Sequence, residues 1–209
     1  MFLLPADLKA AESMVLEALQ ISIKDQPKGR WEVKLKFEGL KLMPLALRLS
    51  KNLQETELFP LLVWPDAGGA ALARKNAPDL ADQISSINEL LAKDPEEYAE
   101  KDLLVVGPQP SDYDIFEQLS NKHLGALVML NGRLEDAAIG IGSVARERRR
   151  RFVDRWRKAF WLEPLERGAL MRVHPEYWQL FRLDPDGYRQ VETYEQRPEA
   201  EEIESGLDS

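Results

Sequence analysis

Three short apolar runs, Phe59 to Trp64, Leu103 to Gly107 and Ala126 to Leu130, constrain the fold of this chain more than any other feature. None of them alternates apolar with polar residues, and each is bounded by turn-forming sequence and followed by helix-forming sequence. A strand with no polar face needs cover on both sides, which is the situation of parallel strands in a helix-flanked sheet. The expected fold class is therefore α/β: a mixed, mainly parallel sheet with helices on both faces.

The remaining segments fit around that sheet. Leu8, Ala11, Val15, Leu19 and Ile23 recur at helical spacing and end in the turn sequence Asp25 to Gly29. Trp31 to Phe37 alternates strictly, with Glu32, Lys34 and Lys36 opposite Trp31, Val33 and Leu35, which predicts a half-buried strand near a sheet edge. Pro44 to Leu53 has helical character, with Pro44 suited to a first turn. Leu80 to Leu91 fits a helix at its start, while its Ile84-Ser85-Ser86-Ile87 core admits helix or strand. Ser111, three before Asp114, is a weak relative of a capping box ahead of Ile115, Phe116 and Leu119. Gly140-Ile141-Gly142-Ser143 opens a helix running to about Arg157.

From Lys158 the texture changes to four strand-like pieces, Ala159 to Leu162, Ala169 to Val173, Trp178 to Leu183 and Tyr188 to Tyr194. The turn signals Glu166-Arg167-Gly168 and Asp184-Pro185-Asp186-Gly187 join them into an antiparallel C-terminal extension of the sheet. The last residues are acidic and poor in apolar side chains, so the expectation is one domain over 1–196 and a disordered tail over 197–209.

Composition removes several classes of function. The chain has 209 residues, 44% of them hydrophobic and 31% charged, which suits one soluble globular domain. Its net charge of -8 argues against generic binding to nucleic acid. With no cysteine there is no disulfide, thiolate nucleophile or zinc–cysteine site. The start, Met1 to Asp7, lacks a basic leader, so neither a signal nor a transit peptide is expected, and no apolar run approaches the ~20 residues of a membrane span. The expectation is a cytoplasmic protein without a transmembrane segment.

Three constellations stand out. In Trp64-Pro65-Asp66-Ala67-Gly68-Gly69, a strand hands over to a helix through an acid and a glycine pair. Backbone amides at such a turn can face an anion, but there is no Gly-Lys-Ser/Thr sequence and no three-glycine spacing, and Asp66 is well placed to cap the helix. The second, Leu130-Asn131-Gly132-Arg133-Leu134-Glu135-Asp136, also follows a strand, and Asn131, Arg133 and Asp136 could offer an amide, a cation and a carboxylate. If the two turns face one cleft, Asp66, Gly68, Gly69, Asn131, Arg133 and Arg146 are its ligand- or anion-binding candidates. The plainer reading of the second is an Asn-Gly turn held by an arginine–carboxylate pair.

The third runs from Arg146 to Lys158, with eight basic residues against two acidic, a net of +6. On a helix, Ala145, Phe152, Trp156 and Ala159 can face the sheet, which leaves Arg148, Arg149, Arg150, Arg151 and Arg155 as candidates for partner binding. A solvated face, a docking surface for an acidic partner or anionic headgroups, and an RNA patch compete here, nucleic acid being the least favoured. The acidic tail could also screen this helix within the molecule.

Catalytic sequence patterns are missing. His123 and His174 belong to no His-Glu-x-x-His pair, and there is no Gly-x-Ser-x-Gly elbow, so no catalytic residue, metal or cofactor is assigned. His123 is expected at a helix end, a position that favours positive charge, and His174 at a strand end. The five tryptophans read as packing residues.

Taken in order, Phe59 to Arg74, Leu130 to Asp136, Gly140 to Arg146 with Arg149, Arg151 and Phe152, and Arg172-Val173-His174-Pro175 with Trp178 resemble a family of uncharacterised domains of cyanobacteria and chloroplasts. That family includes the plant low photosystem II accumulation assembly protein, and a related domain is appended to a plastid adenylate kinase. The likeness spans roughly Leu8 to Pro198. It implies a non-catalytic accessory factor of photosystem II biogenesis, cytoplasmic or peripheral to the thylakoid membrane. Its implied partner is a photosystem II subunit, an assembly intermediate or the anionic thylakoid surface. The alternative is an anion- or nucleotide-binding enzyme with its cleft at the strand carboxyl ends; adenylate kinase activity does not carry over, because the phosphate loop is missing.

Overall fold

A computed structural model describes residues 3–56, 58–134 and 143–209, apart from the side chains of 143–146 and 148. The elements in chain order are α1 (Leu8–Asp25), β1 (Arg30–Leu35), α2 (Leu42–Glu55), β2 (Leu61–Trp64), α3 (Ala67–Asn76), β3 (Ile84–Ser86), α4 (Ile87–Leu91), β4 (Leu103–Val106), α5 (Tyr113–Lys122), β5 (Leu127–Leu130), α6 (Ser143–Asp154), β6 (Arg157–Leu165), β7 (Gly168–Val173), β8 (Trp178–Asp184), β9 (Gly187–Tyr194) and α7 (Ala200–Asp208). The strands form one sheet in the order β3-β2-β4-β5-β1-β6-β7-β8-β9. The first six in that order run parallel, and β6 to β9 form an antiparallel meander.

The three apolar runs become β2, β4 and β5, buried at every position because each strand feeds two cores. Leu62, Leu104 and Val128 pack on one face beneath α1, α2 and α3. Val63, Leu103 and Met129 pack on the other with Ile87 of α4, Phe116 of α5 and Phe152 of α6. A third, smaller cluster on that second face joins Trp161, Trp178 and Leu180 to Leu207 of α7. The expected α/β class, with its helix-covered parallel sheet and antiparallel extension, is what these residues form.

Two expectations are corrected and one open segment is resolved. First, β1 is no edge strand: it is the middle strand of the nine, paired with β5 and β6. Its polar face is covered as well, with Glu32 only 1% and Lys34 8% exposed. Alternation reports two kinds of surface, and here the charged one is paired with other charges instead of with water. Second, the ambiguous 80–91 segment holds three short pieces: a 3-10 turn over Pro78–Gln83, edge strand β3, and α4. The chain changes state at Ser86, whose hydroxyl accepts from Glu89 N while the Glu89 carboxylate accepts from Ser86 N, a reciprocal cap that starts a helix at once.

Third, residues 200–208 are helical. Ile203 and Leu207 of α7 pack on β8 and β9, with Leu207 only 4% exposed. The acids of this segment meet Arg167 in the β6–β7 turn: Glu204 at 2.6 Å and Asp208 at 2.7 Å. Two large apolar residues in a nine-residue acidic stretch are a weak sequence signal, but they fall one helical turn apart and share a face.

Candidate functional site

The connections diverge at the carboxyl ends of the parallel strands. β2 leads to α3 on the first face, whereas its neighbour β4 leads to α5 on the second. Likewise β1 leads to α2 on the first face and its neighbour β5 to α6 on the second. Such switch points are where ligands of open α/β sheets gather. The two turns singled out in the sequence sit one at each, with the exit of β4 between them.

At the first, Asp66 is the N-cap of α3, its Oδ1 accepting from Gly69 N at 2.8 Å. Gly68 makes room for that carboxylate, since a Cβ there would stand 3.0 Å from Asp66 Oδ1, whereas one on Gly69 would make an ordinary 3.4 Å contact with Oδ2. Gly68 thus has a local structural reason, and the acid occupies the position an anion would take.

At the second, Asn131 adopts a left-handed φ of 51°. Its side chain imitates one more residue of strand, with Oδ1 accepting from Leu35 N at 2.7 Å and Nδ2 donating to Leu35 O at 2.9 Å. Arg133 N donates to Pro108 O at 2.9 Å, tying this turn to the β4 exit. Gly132 is there for space, since a Cβ would lie 2.4 Å from Met129 Sδ. Asp66 and Asn131 follow strands separated by β4, so they stand two strand spacings apart, roughly 10 Å. Asp136, Gly140, Ile141 and Gly142, and the Arg146 and Arg148 side chains, lie outside the described residues.

The arginine helix is anchored by aromatics. Phe152 meets Tyr113 and Phe116 edge-on, and Trp156, just past the helix, stacks on Phe116 with ring centroids 5.2 Å apart. These contacts fix which side of α6 faces water. Arg150, Arg151, Arg155 and Arg157 are exposed, and Arg151 pairs with Glu147 one turn earlier at 3.0 Å. Arg149 turns back, its guanidinium 4.7 Å from the Tyr113 ring centroid. Ala159 belongs to strand β6, as the strand-like piece Ala159 to Leu162 predicted, and it faces the opposite core, so it does not share the face of Phe152 and Trp156.

A charged cluster that the sequence reading did not single out lies on the second face, between the α6 and α7 cores. Glu32 accepts from Lys158 Nζ and stands 3.7 Å from Lys34 Nζ, and Lys34 donates to Gly132 O. In register with Lys34 is Trp161, whose ring lies within 6 Å of four cations: Arg197 at 4.9 Å, Lys36 at 5.0 Å, Lys34 at 5.7 Å and Lys158 at 5.9 Å. Burial alone would raise the Glu163 carboxyl. Hydrogen bonds from Lys36 and Trp161, with the charges of Lys36 and Arg197, hold it below the usual carboxylate range. The signal was present in the Glu32-Lys34-Lys36 alternation, but only the strand order brings Trp161, Lys158 and Arg197 to it.

The histidines have structural places. His123 is the C-cap of α5, yet it is only 3% exposed and stacked on Tyr98. Burial, aided by the Arg30 charge, pushes its imidazole down to about 4, so it is neutral at pH 7, contrary to the expectation from its helix-end position. His174 Nε2 lies 2.8 Å from Asp25 Oδ2, which joins the end of β7 to the end of α1. Among the described residues no group of three or more histidine and carboxylate side chains is arranged to hold a metal ion. None of the described helices is long and apolar enough to cross a membrane.

Fold and surface together define an α/β protein whose sheet and caps account for most of its conspicuous polar residues. The chain belongs to the family described as a domain of unknown function, DUF1995, which it matches over residues 5–205. Comparison with curated proteins gives no match.

Proposed function

We propose that this protein is a non-catalytic accessory factor of photosystem II biogenesis that engages an acidic protein partner or the anionic thylakoid surface through α6. The observation that carries this reading is the anchored arginine face: Phe152 and Trp156 commit one side of the segment to the core, and Arg150, Arg151 and Arg155 are exposed beside them. In a chain of net charge -8, that face can attract an anionic surface while the rest of the molecule resists adhesion. The photosynthetic setting rests on the resemblance to the family that includes the plant assembly protein. The alternative, an anion- or nucleotide-binding enzyme, draws less support, because Asp66 and Asn131 are engaged in a helix cap and a strand extension.

Cosedimentation with vesicles containing anionic thylakoid lipids, and recovery of partners from photosynthetic cells, test the interaction. Binding is expected to weaken as salt rises through the range where the Debye length falls below ~10 Å. Arg150→Glu, Arg151→Glu and Arg155→Glu together are expected to abolish it; undiminished recovery of this triple variant at low salt would rule out the arginine face. Normal photosystem II accumulation in cells lacking the protein would rule out the biogenesis role.

A further inference from the structure

Strands β6 to β9 are longer than β2, β4 and β5, and this leaves part of the first face uncovered by helix. β6 has nine residues and β2, β4 and β5 four each, roughly 30 Å against 13 Å. Where β6, β7 and β9 outrun the helices there is a cavity of about 850 Å³. Its floor is Leu162, Pro164 and Ala169, and its walls are the segment leading into α1, with Leu4, and the β1–α2 loop, with Phe37 and Leu40. The volume is that of a small-molecule site, and the lining is predominantly apolar.

Two further observations bear on what would fill it. Two of the large apolar side chains that the protein leaves exposed line it, Leu3 at 78% and Tyr188 at 53%, and a third, Leu183 at 51%, is directly opposite Tyr188 in the β8–β9 pair. An apolar cavity with an apolar rim suits a ligand that is itself water-insoluble over most of its length. The charged residues of the lining are not equivalent. Asp7 is engaged as the N-cap of α1, accepting from Ala10 N, and Arg48 is held by Glu12 through two hydrogen bonds. Lys41 is exposed, begins α2 without a side-chain cap hydrogen bond, and is followed by a first turn that contains no acid. Glu38 is exposed on the same loop, so the mouth presents one cation and one carboxylate beyond those already engaged; the cation stands at the N-terminus of α2, where the helix dipole adds to its attraction for an anion.

We propose that this cavity binds one amphiphile of the fatty-acid class, with its hydrocarbon chain against Leu40, Leu162 and Ala169 and its carboxylate at the mouth beside Lys41. The site is on the α1–α2 face of the sheet and α6 is on the other, so ligand binding and the proposed arginine-face interaction are separable.

Titration of the full chain with a fluorescent polyunsaturated fatty acid, followed by displacement with hexadecanoate and with hexadecanol, tests the site. Saturable binding of one molecule per chain is expected. Ala169→Leu and Leu40→Trp, which occupy the cavity, are each expected to weaken it about tenfold or more. Circular dichroism and melting report whether each variant is folded; Leu40 is half-buried in a mostly exposed loop, so that variant carries the test if Ala169→Leu does not fold. Lys41→Glu is expected to weaken hexadecanoate and leave hexadecanol unchanged. No saturable binding, or binding untouched by folded cavity-filling variants, would overturn the site, and equal loss of acid and alcohol in Lys41→Glu would overturn the placement of the headgroup. The triple reversal of Arg150, Arg151 and Arg155 is expected to leave fatty-acid binding unchanged, so failure of either proposal is distinguishable from failure of the other.

Discussion

Glu32→Ala asks whether paired charge or water covers the second face of β1. If the alternation of that strand meant a solvated face, the substitution would change stability by no more than ~0.5 kcal/mol. The folded protein instead leaves Glu32 1% exposed, bonded to Lys158 and 3.7 Å from Lys34 Nζ. Removing the carboxylate leaves two ammonium groups facing each other beside Trp161, and breaking a buried pair in this way costs about 3–5 kcal/mol. The Lys158 side chain, 24% exposed, can turn toward water and recover part of that, so the expected loss is ~3 kcal/mol, at the low end. Urea denaturation followed by tryptophan fluorescence reads it directly. With a slope of about 3 kcal/mol/M for a chain of this size, the midpoint falls by about 1 M. A cycle with Lys158→Ala isolates the pair, with an expected coupling of about 1–3 kcal/mol. A loss below ~0.5 kcal/mol for Glu32→Ala would refute the reasoning, because it would mean that the face is hydrated.

Three further outcomes are expected. His123 has its folded-state pKa lowered from 6.5 to about 4, so the unfolded chain takes up a proton that the folded one refuses. Its contribution is full above pH 6.5 and declines by about 3 kcal/mol as pH falls toward 4; His123→Gln should flatten the stability profile between pH 6.5 and 5, and an unaltered slope would count against this. Asp66→Ala should cost about 1 kcal/mol through the lost α3 cap, and Asp66→Asn much less. In thermal-shift assays neither should alter any response to phosphate or nucleotides, whereas a changed response would restore the ligand reading of that turn. Leu207→Ala should destabilise the protein by about 2–3 kcal/mol and expose α7 to proteolysis; a variant as stable and resistant as the parent would show that α7 does not dock.

The architecture was legible because its main signals are local. The unbroken apolar runs 59–64, 103–107 and 126–130 could be satisfied only by cover on both faces, and β2, β4 and β5 have it. The turns before Gly168 and Gly187 announced the antiparallel meander, and Asp66 announced the α3 cap. What misled was always a residue whose surroundings come from elsewhere in the chain. Glu32 and Lys34 looked solvated because their partners Lys158, Gly132 and Trp161 are about a hundred residues away. The acidic end looked disordered because Leu180 and Arg167, which receive Leu207 and Asp208, precede it in another element. His123 looked charged because a helix end favours a cation, but desolvation outweighed that preference.

The sequence by itself determined the element types, the buried strands, the caps and the reversal of charge along α6, since each depends on periodicity or on residues within a few positions of one another. Tertiary structure decided that β1 is central, that its charged face is closed by ion pairs, and that two ligand-like turns sit on either side of the β4 exit. It also decided that long antiparallel strands outrun their helices to leave an apolar cavity. Those outcomes depend on strand order and on mismatched element lengths, quantities that exist only once distant segments have been brought side by side.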